Sequence, residues 1–311
     1  TTSGQLSIRW IADELNLFLN ETIGTKDYDY IVASDTDSVY VRLGKLIERF
    51  LPDCTDTEKI VNFLDNSSEK IIQPLIDKKY EELAQMMNAY ENKMFMGREV
   101  IAERGVWTAK KRYALNVWDS EGVRYEEPKL KIMGIETTRS STPAIVREKL
   151  KNAIRLILTK EEKDIQEYVA EFRDEFFSCE PEEIAFPRSV SNLEKWESSS
   201  EIYISATPIA VKGSLIYNHY IKKLKLEEKY EKIQQGDKVK FIYLKEPNPI
   251  SGVKGDKVIS FPASIPKELD IHRFVDYNMQ FTKSFLDPLE TILNVVGWKS
   301  KEEATLEGLF V

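Results

Sequence analysis

The sequence predicts an α+β protein: an antiparallel sheet with helices up to about residue 142, followed by a mostly helical domain. Three observations carry this. Runs rich in β-branched and aromatic residues concentrate between 28 and 135. After 142, apolar residues recur mainly at three- and four-residue spacing. The length of 311 residues allows two domains with a substantial core.

The elements follow in order. Ile8, Ile11, Leu15, Phe18 and Leu19 predict an amphipathic helix over 5–20 that stops near Gly24. Tyr28 to Val32 and Val39 to Val41 are apolar, and Ser34-Asp35-Thr36-Asp37-Ser38 lies between them, the pattern of a hairpin with an acidic turn. Helical spacing returns over 57–90, with Pro74 as a kink or break. Residues 98–135 are extended in character and are expected to join the first hairpin's sheet. Thr142 is the expected N-cap of the next helix, with Pro143 in its first position. A second helix follows through Ile165, Val169, Phe172 and Phe176. Short strands are expected over about 202–262, and a last helix over about 271–297. The change near 142 marks the domain boundary, giving domains 1–142 and 143–298 and a tail 299–311.

Composition excludes several classes. No uncharged run exceeds ten residues, whereas a membrane-spanning helix needs about 20. The first residues do not have a signal-peptide pattern, and Thr1 fits a native start after removal of a methionine. Two cysteines and two histidines rule out a disulfide framework and a cysteine zinc site. The net charge of −8 argues, as an average, against a nucleic-acid partner. The average hides alternation, however. Residues 94–140 carry 9 Lys/Arg against 7 Asp/Glu, and 205–259 carry 11 against 6. Residues 1–93 and 160–203 are strongly acidic. DNA binding requires a local basic face, not a basic total.

Asp35 and Asp37 flank one residue at the tip of an apolar hairpin. Carboxylates there need a cation or hydrogen bonds to offset their desolvation. Mg²⁺ suits a site of few carboxylates plus substrate phosphates, and two ions about 3.5–4 Å apart can stabilise both oxygens of a phosphoryl transfer. An ordinary Asp-rich turn is the competing reading.

The longer string Tyr30-Ile-Val-Ala-Ser-Asp35-Thr-Asp37-Ser-Val-Tyr40-Val resembles motif C of family B DNA polymerases. Further matches follow in order. Arg98-Glu99 sits where enzymes of the T-even-type phage replicative group carry an acidic residue near the metal site. Lys110-Lys111-Arg112-Tyr113-Ala114 is similar to the family's K-K-R-Y segment along the primer strand. Lys129 to Glu136 with Ser140-Ser141-Thr142-Pro143 is similar to the palm-to-thumb transition. Lys212-Gly-Ser-Leu-Ile-Tyr217-Asn218 resembles a thumb segment, and Leu306-Glu-Gly-Leu309-Phe310 resembles a C-terminal sliding-clamp peptide. The resemblance covers essentially the whole chain.

The resemblance implies a partial palm followed by a helical thumb. Asp37 would be the principal ligand of catalytic Mg²⁺, Asp35 the accessory carboxylate and Glu99 an outer-shell acid. Lys110, Lys111 and Arg112 would grip backbone phosphates, with Tyr113 bracing that strand. Lys131, Lys212, Tyr217, Asn218 and Lys222 would contact duplex DNA. Leu306, Leu309 and Phe310 would anchor a sliding clamp. Solvated basic segments, and a tail folded back on the thumb, are the competing readings.

The family's motif A aspartate, its motif B lysine and tyrosine, and its exonuclease carboxylates are absent from the sequence. One hairpin cannot hold two metal ions. The expected function is therefore the C-terminal subunit of a split DNA polymerase in the cytoplasm of a bacterial host. A separate N-terminal chain would supply motifs A and B, and primer-template DNA, dNTP and a clamp would be the other partners. The rival class is a non-catalytic DNA- and clamp-binding module, against which the intact acidic turn speaks. A metal-dependent nuclease lacks the several spaced carboxylates it would need.

Overall fold

Thr1 caps the first helix through its hydroxyl, which accepts a hydrogen bond from the Gly4 N–H. This helix, α1 (Thr2–Ile23), ends at Gly24, where a φ of 75° supplies the left-handed turn. The computed structural model describes residues 1–198, 201–250 and 257–302. Within them, helices combine with antiparallel sheet, the class expected from the sequence. Packing divides the chain into two units, 1–131 and 132–311.

In the first unit, β1 (Ile31–Asp35) and β2 (Ser38–Val41) form an antiparallel hairpin in which Asp35 pairs with Ser38. The later strands do not extend this sheet, contrary to expectation. β3 (Val100–Ala109), β4 (Arg112–Ser120) and β5 (Val123–Met133) make a separate three-stranded sheet. One reason lies just before β1, where the backbone is bonded to side chains of α1. Asn20 accepts from the Tyr28 N–H at 3.0 Å and donates to the Tyr28 carbonyl at 2.8 Å. Asn16 accepts from the Tyr30 N–H at 2.7 Å. Those backbone groups are then unavailable to a neighbouring strand.

Between the two sheets come α2 (Gly44–Phe50), α3 (Thr57–Ser67) and α4 (Gln73–Met86). Pro74 does not break the chain: a π turn over Ser68–Ile72 joins α3 to α4, and Pro74 sits in the first turn of α4. A missing N–H is tolerated in that position.

Two apolar clusters seat the first hairpin. Ile11 and Leu15 of α1 meet Ile76, Tyr80 and Leu83 of α4, with Ile31, Val39 and Val41 packed against them. Leu19, Ile23 and Tyr30 meet Leu46, Val61, Leu64 and Ile101. α3 is pinned to the second sheet by ions. Asp119 is 1 % exposed and bonded by Arg98, by Arg124 at 3.1 Å and by the Gly122 N–H at 3.1 Å. Arg98 also reaches Asp65 of α3 at 2.9 Å. The turn from β4 to β5 has positive φ at both Glu121 and Gly122, the geometry that two-residue hairpins favour. Between α4 and β3 the chain leaves Met87, Tyr90, Met94 and Phe95 exposed, next to an exposed Met86.

The second unit runs from residue 132, and the change in composition near 142 coincides with the helix start that follows. α5 (Ala144–Thr159) has Pro143 as its N-cap, one residue later than expected, and Thr142 is buried beside it. α6 (Glu162–Phe177) opens with a capping box between Glu161 and Asp164. Then follow α7 (Pro181–Ile184), β6 (Phe186–Ser189), α8 (Leu193–Trp196), α9 (Ile209–Lys223), β7 (Lys238–Tyr243) and β8 (Val258–Phe261). The strands form one sheet in the order β6-β7-β8.

Helix α9 replaces strands expected in that stretch. It buries Ala210, Val211, Ser214, Leu215, Ile216, Tyr217 and Ile221, which spread over several sides of the helix and leave only a narrow polar face at Lys212, His219 and Lys223. It lies close on β8: a Cβ added at Gly213 would stand 2.6 Å from the Ser260 nitrogen. The last helical region starts later than expected, as α10 (Tyr277–Phe281), a π turn over Thr282–Leu286 and α11 (Asp287–Val296). Phe281 and Phe285 pack their rings against Phe172 and Phe176 of α6.

Candidate functional site at two hairpin tips

The β1–β2 turn consists of Thr36 and Asp37. Asp35 is half-buried at its base, and Asp37 is exposed in it. One Asp35 oxygen accepts from the Thr36 N–H at 2.8 Å and the Thr36 hydroxyl at 3.2 Å. The Thr36 N–H bond is the main reason the Asp35 carboxyl stays below the usual carboxylate range. Partial desolvation works against it, and the charges of Lys111 and Lys110 add to it.

Those lysines form the turn between β3 and β4, where Ala109 pairs with Arg112. Lys111 takes a φ of 61°, the left-handed conformation a two-residue turn requires. Its ammonium lies 3.8 Å from the second Asp35 oxygen. The structure thus brings together two tips that the sequence separates by about seventy residues. Lys110 is exposed, and Arg112 and Tyr113 follow as half-buried residues of β4.

Three rings connect these hairpins. Tyr40 of β2 lies 5.3 Å from both Trp107 and Tyr113, which pair across β3–β4. Tyr40 is half-buried, with Tyr113 beside it. Burial foremost, and then the neighbouring Tyr113, push the Tyr40 pKa far above that of an ordinary phenol, so it stays neutral. Sequence reasoning passed over Trp107 and the structural use of Tyr40, and also Asn16 and Asn20. Two asparagines one turn apart on α1 were the available signal.

Glu99 lies immediately before β3. It is exposed and forms an ion pair with Lys131, so Lys131 is engaged within the protein. Among the described residues, no three His, Cys, Asp or Glu side chains gather closely enough to hold a metal ion. Asp35 and Asp37 stand at the β1–β2 turn. These two carboxylates suit a hard cation that keeps other oxygen ligands. Asp37 is the more accessible of them, and a two-ion centre needs further acidic groups.

The remaining expected contacts lie in the second unit. Lys212 stands over the Tyr203 ring at 4.6 Å, and Lys222 is exposed. Tyr217 is 1 % exposed, and its hydroxyl donates to the Glu231 carbonyl at 3.3 Å. The Asn218 amide both donates to and accepts from the Ile233 backbone at 2.8 Å. The Tyr217 ring thus belongs to the core, and Asn218 fastens α9 to the 231–233 segment. Leu306, Leu309 and Phe310 lie outside the described residues.

Comparison with known proteins gives consistent matches. The sequence profile of DNA polymerase family B matches residues 68–295. The chain is 38 % identical over 323 aligned residues to the DNA-directed DNA polymerase of Enterobacteria phage T4, an alignment covering 100 % of this chain and 35 % of that protein. It is 37 % identical over 324 residues to the DNA-directed DNA polymerase of Escherichia phage RB69, with the same two coverages. A DNA polymerase of Methanocaldococcus jannaschii is 26 % identical over 246 residues, 77 % of this chain and 13 % of that one. The chain therefore spans about a third of the length of its phage relatives.

Proposed function

The chain belongs to DNA polymerase family B, and from that premise we propose that it supplies the C-terminal part of a template-directed DNA polymerase. The supporting observation is the acidic tip at Asp35 and Asp37, with a lysine tip within 3.8 Å of it. Asp37 and Asp35 would hold Mg²⁺, which supplies Lewis-acid stabilisation of the transferring phosphoryl group. Lys110, Lys111 and Arg112 would neutralise primer backbone phosphates beside it, a grip independent of sequence. The second unit would act as the thumb on duplex DNA, with exposed Lys222 as one contact. The apolar tail residues 306, 309 and 310 would engage a sliding clamp.

Motifs A and B, which this sequence lacks, would be supplied by a partner chain that binds the incoming dNTP. Reconstitution tests this reading. The chain alone should not extend a primer, and the chain with its N-terminal partner should. Asp37→Ala should abolish extension by the pair without preventing assembly. Full extension by the isolated chain would overturn the division of the active site between two chains.

A further inference from the structure

The two functional tips belong to different sheets with no strand pairing between them. Backbone hydrogen bonds therefore do not set their separation. The Lys111–Asp35 contact cannot set it alone, because Lys111 is largely in water and an exposed ion pair is weak. Between the hairpins stands the ring cluster. Tyr40 is two residues beyond Ser38, which pairs with Asp35, and its ring lies 5.3 Å from Tyr113 of the other hairpin. Tyr113 pairs with Trp107, and the Lys110-Lys111 turn lies between them. Trp107 lies against Tyr40 at 66°, edge to face. The Trp107 indole nitrogen is buried and makes no hydrogen bond, so its ring shape, not a polar contact, holds it in place.

From this geometry we infer that Trp107 and Tyr40 are positioning residues that fix the spacing between the Asp35–Asp37 tip and the Lys110–Lys111 tip. Neither ring has to touch substrate for this role. The carboxylates and the phosphate-gripping lysines must meet one nucleotide at one distance, and the rings set that distance before the substrate arrives.

A structural test uses the full chain alone, with Cys54 and Cys179 replaced by serine and nitroxides attached through Thr36→Cys and Lys110→Cys. Dipolar broadening should report one narrow short distance. Trp107→Ala should spread that distribution while the far-ultraviolet spectrum is unchanged, and Trp107→Phe should restore it. If Trp107→Ala does not fold, Tyr40→Leu decides, since it removes the ring that meets Trp107 and Tyr113 and keeps an apolar side chain; it should also spread the distribution. An unaltered distribution in a folded Trp107→Ala, or in Tyr40→Leu when that variant decides, overturns the inference.

The kinetic test rests on the proposed polymerase function. In the assembled pair, Trp107→Ala should lower kcat roughly tenfold or more, since small misplacements are costly to catalysis. The KM for dNTP should stay within about twofold, with rescue by Trp107→Phe. Equal losses in Ala and Phe variants, or an unchanged kcat in the Ala variant, would count against positioning. If the unmodified pair fails to extend primers, the functional reading fails, and the spin-label result still decides the structural role.

Discussion

Asp35 and Asp37 are chemically identical and differently placed, and this difference can be tested. Asp35 has hydrogen bonds from Thr36 and a lysine nearby, whereas Asp37 is exposed. Lys111→Ala should move the Asp35 midpoint upward in a carboxyl-detected NMR titration. It should remain below the ordinary carboxylate range, because the Thr36 bond persists. An unchanged midpoint would mean that the tips do not meet in solution. Glu268 gives a second pH prediction. The Lys229 bond foremost, then its own backbone N–H and the Tyr230 hydroxyl, lower its pKa to about 2. A carboxyl depressed by folding contributes stability above its unfolded pKa and loses it as pH falls through the folded value. Stability from Glu268 should therefore fade between about pH 4.5 and pH 2, and Lys229→Ala should flatten that part of the acid-unfolding curve. The acidic turn was legible in the sequence because residue type and spacing alone define it. The pairing of Glu99 with Lys131 and the burial of Tyr217 were not, because each depends on a partner that only the fold brings close.

At the scale of elements, α9 packs closely against β8. Gly213→Ala would drive a methyl into the Ser260 backbone, which cannot swing aside as a flexible side chain would. A cost of about 1–3 kcal/mol is expected, measurable as a lower urea midpoint. Asp119→Ala should cost more in the first unit, because it leaves two arginines facing a cavity. Breaking a buried pair costs about 3–5 kcal/mol, and partial hydration of Arg98 and Arg124 should reduce this. An Asp119→Ala chain as stable as the parent would remove that network's structural role. Helices with one apolar stripe, such as α1 and α6, were readable from spacing. Helix α9 was not, because burial on several faces erases the stripe. Strand partners were equally hidden, since two asparagines on α1 take the backbone groups leading into β1.

Across the whole chain, net charge misled and its distribution informed. A total of −8 coexists with a basic turn beside an acidic one. DNA affinity of the full chain should be weak and fall steeply with salt, in proportion to the phosphates neutralised. A flat salt response would contradict a phosphate grip. Fold class was legible because strand-like and helix-like runs segregate along the chain. The point of division at 131/132 was not, because it depends on packing across the sequence. The exposed segment after α4 has a practical consequence. Thioethers oxidise to sulfoxides according to their exposure. Met86, Met87 and Met94 are 69, 58 and 46 % exposed, whereas Met96 packs against the α1–α4 cluster. The chain thus contains its own footprinting reagents and an internal standard. Brief peroxide treatment followed by mass spectrometry would show which of the three any bound protein covers, without a label or a mutation.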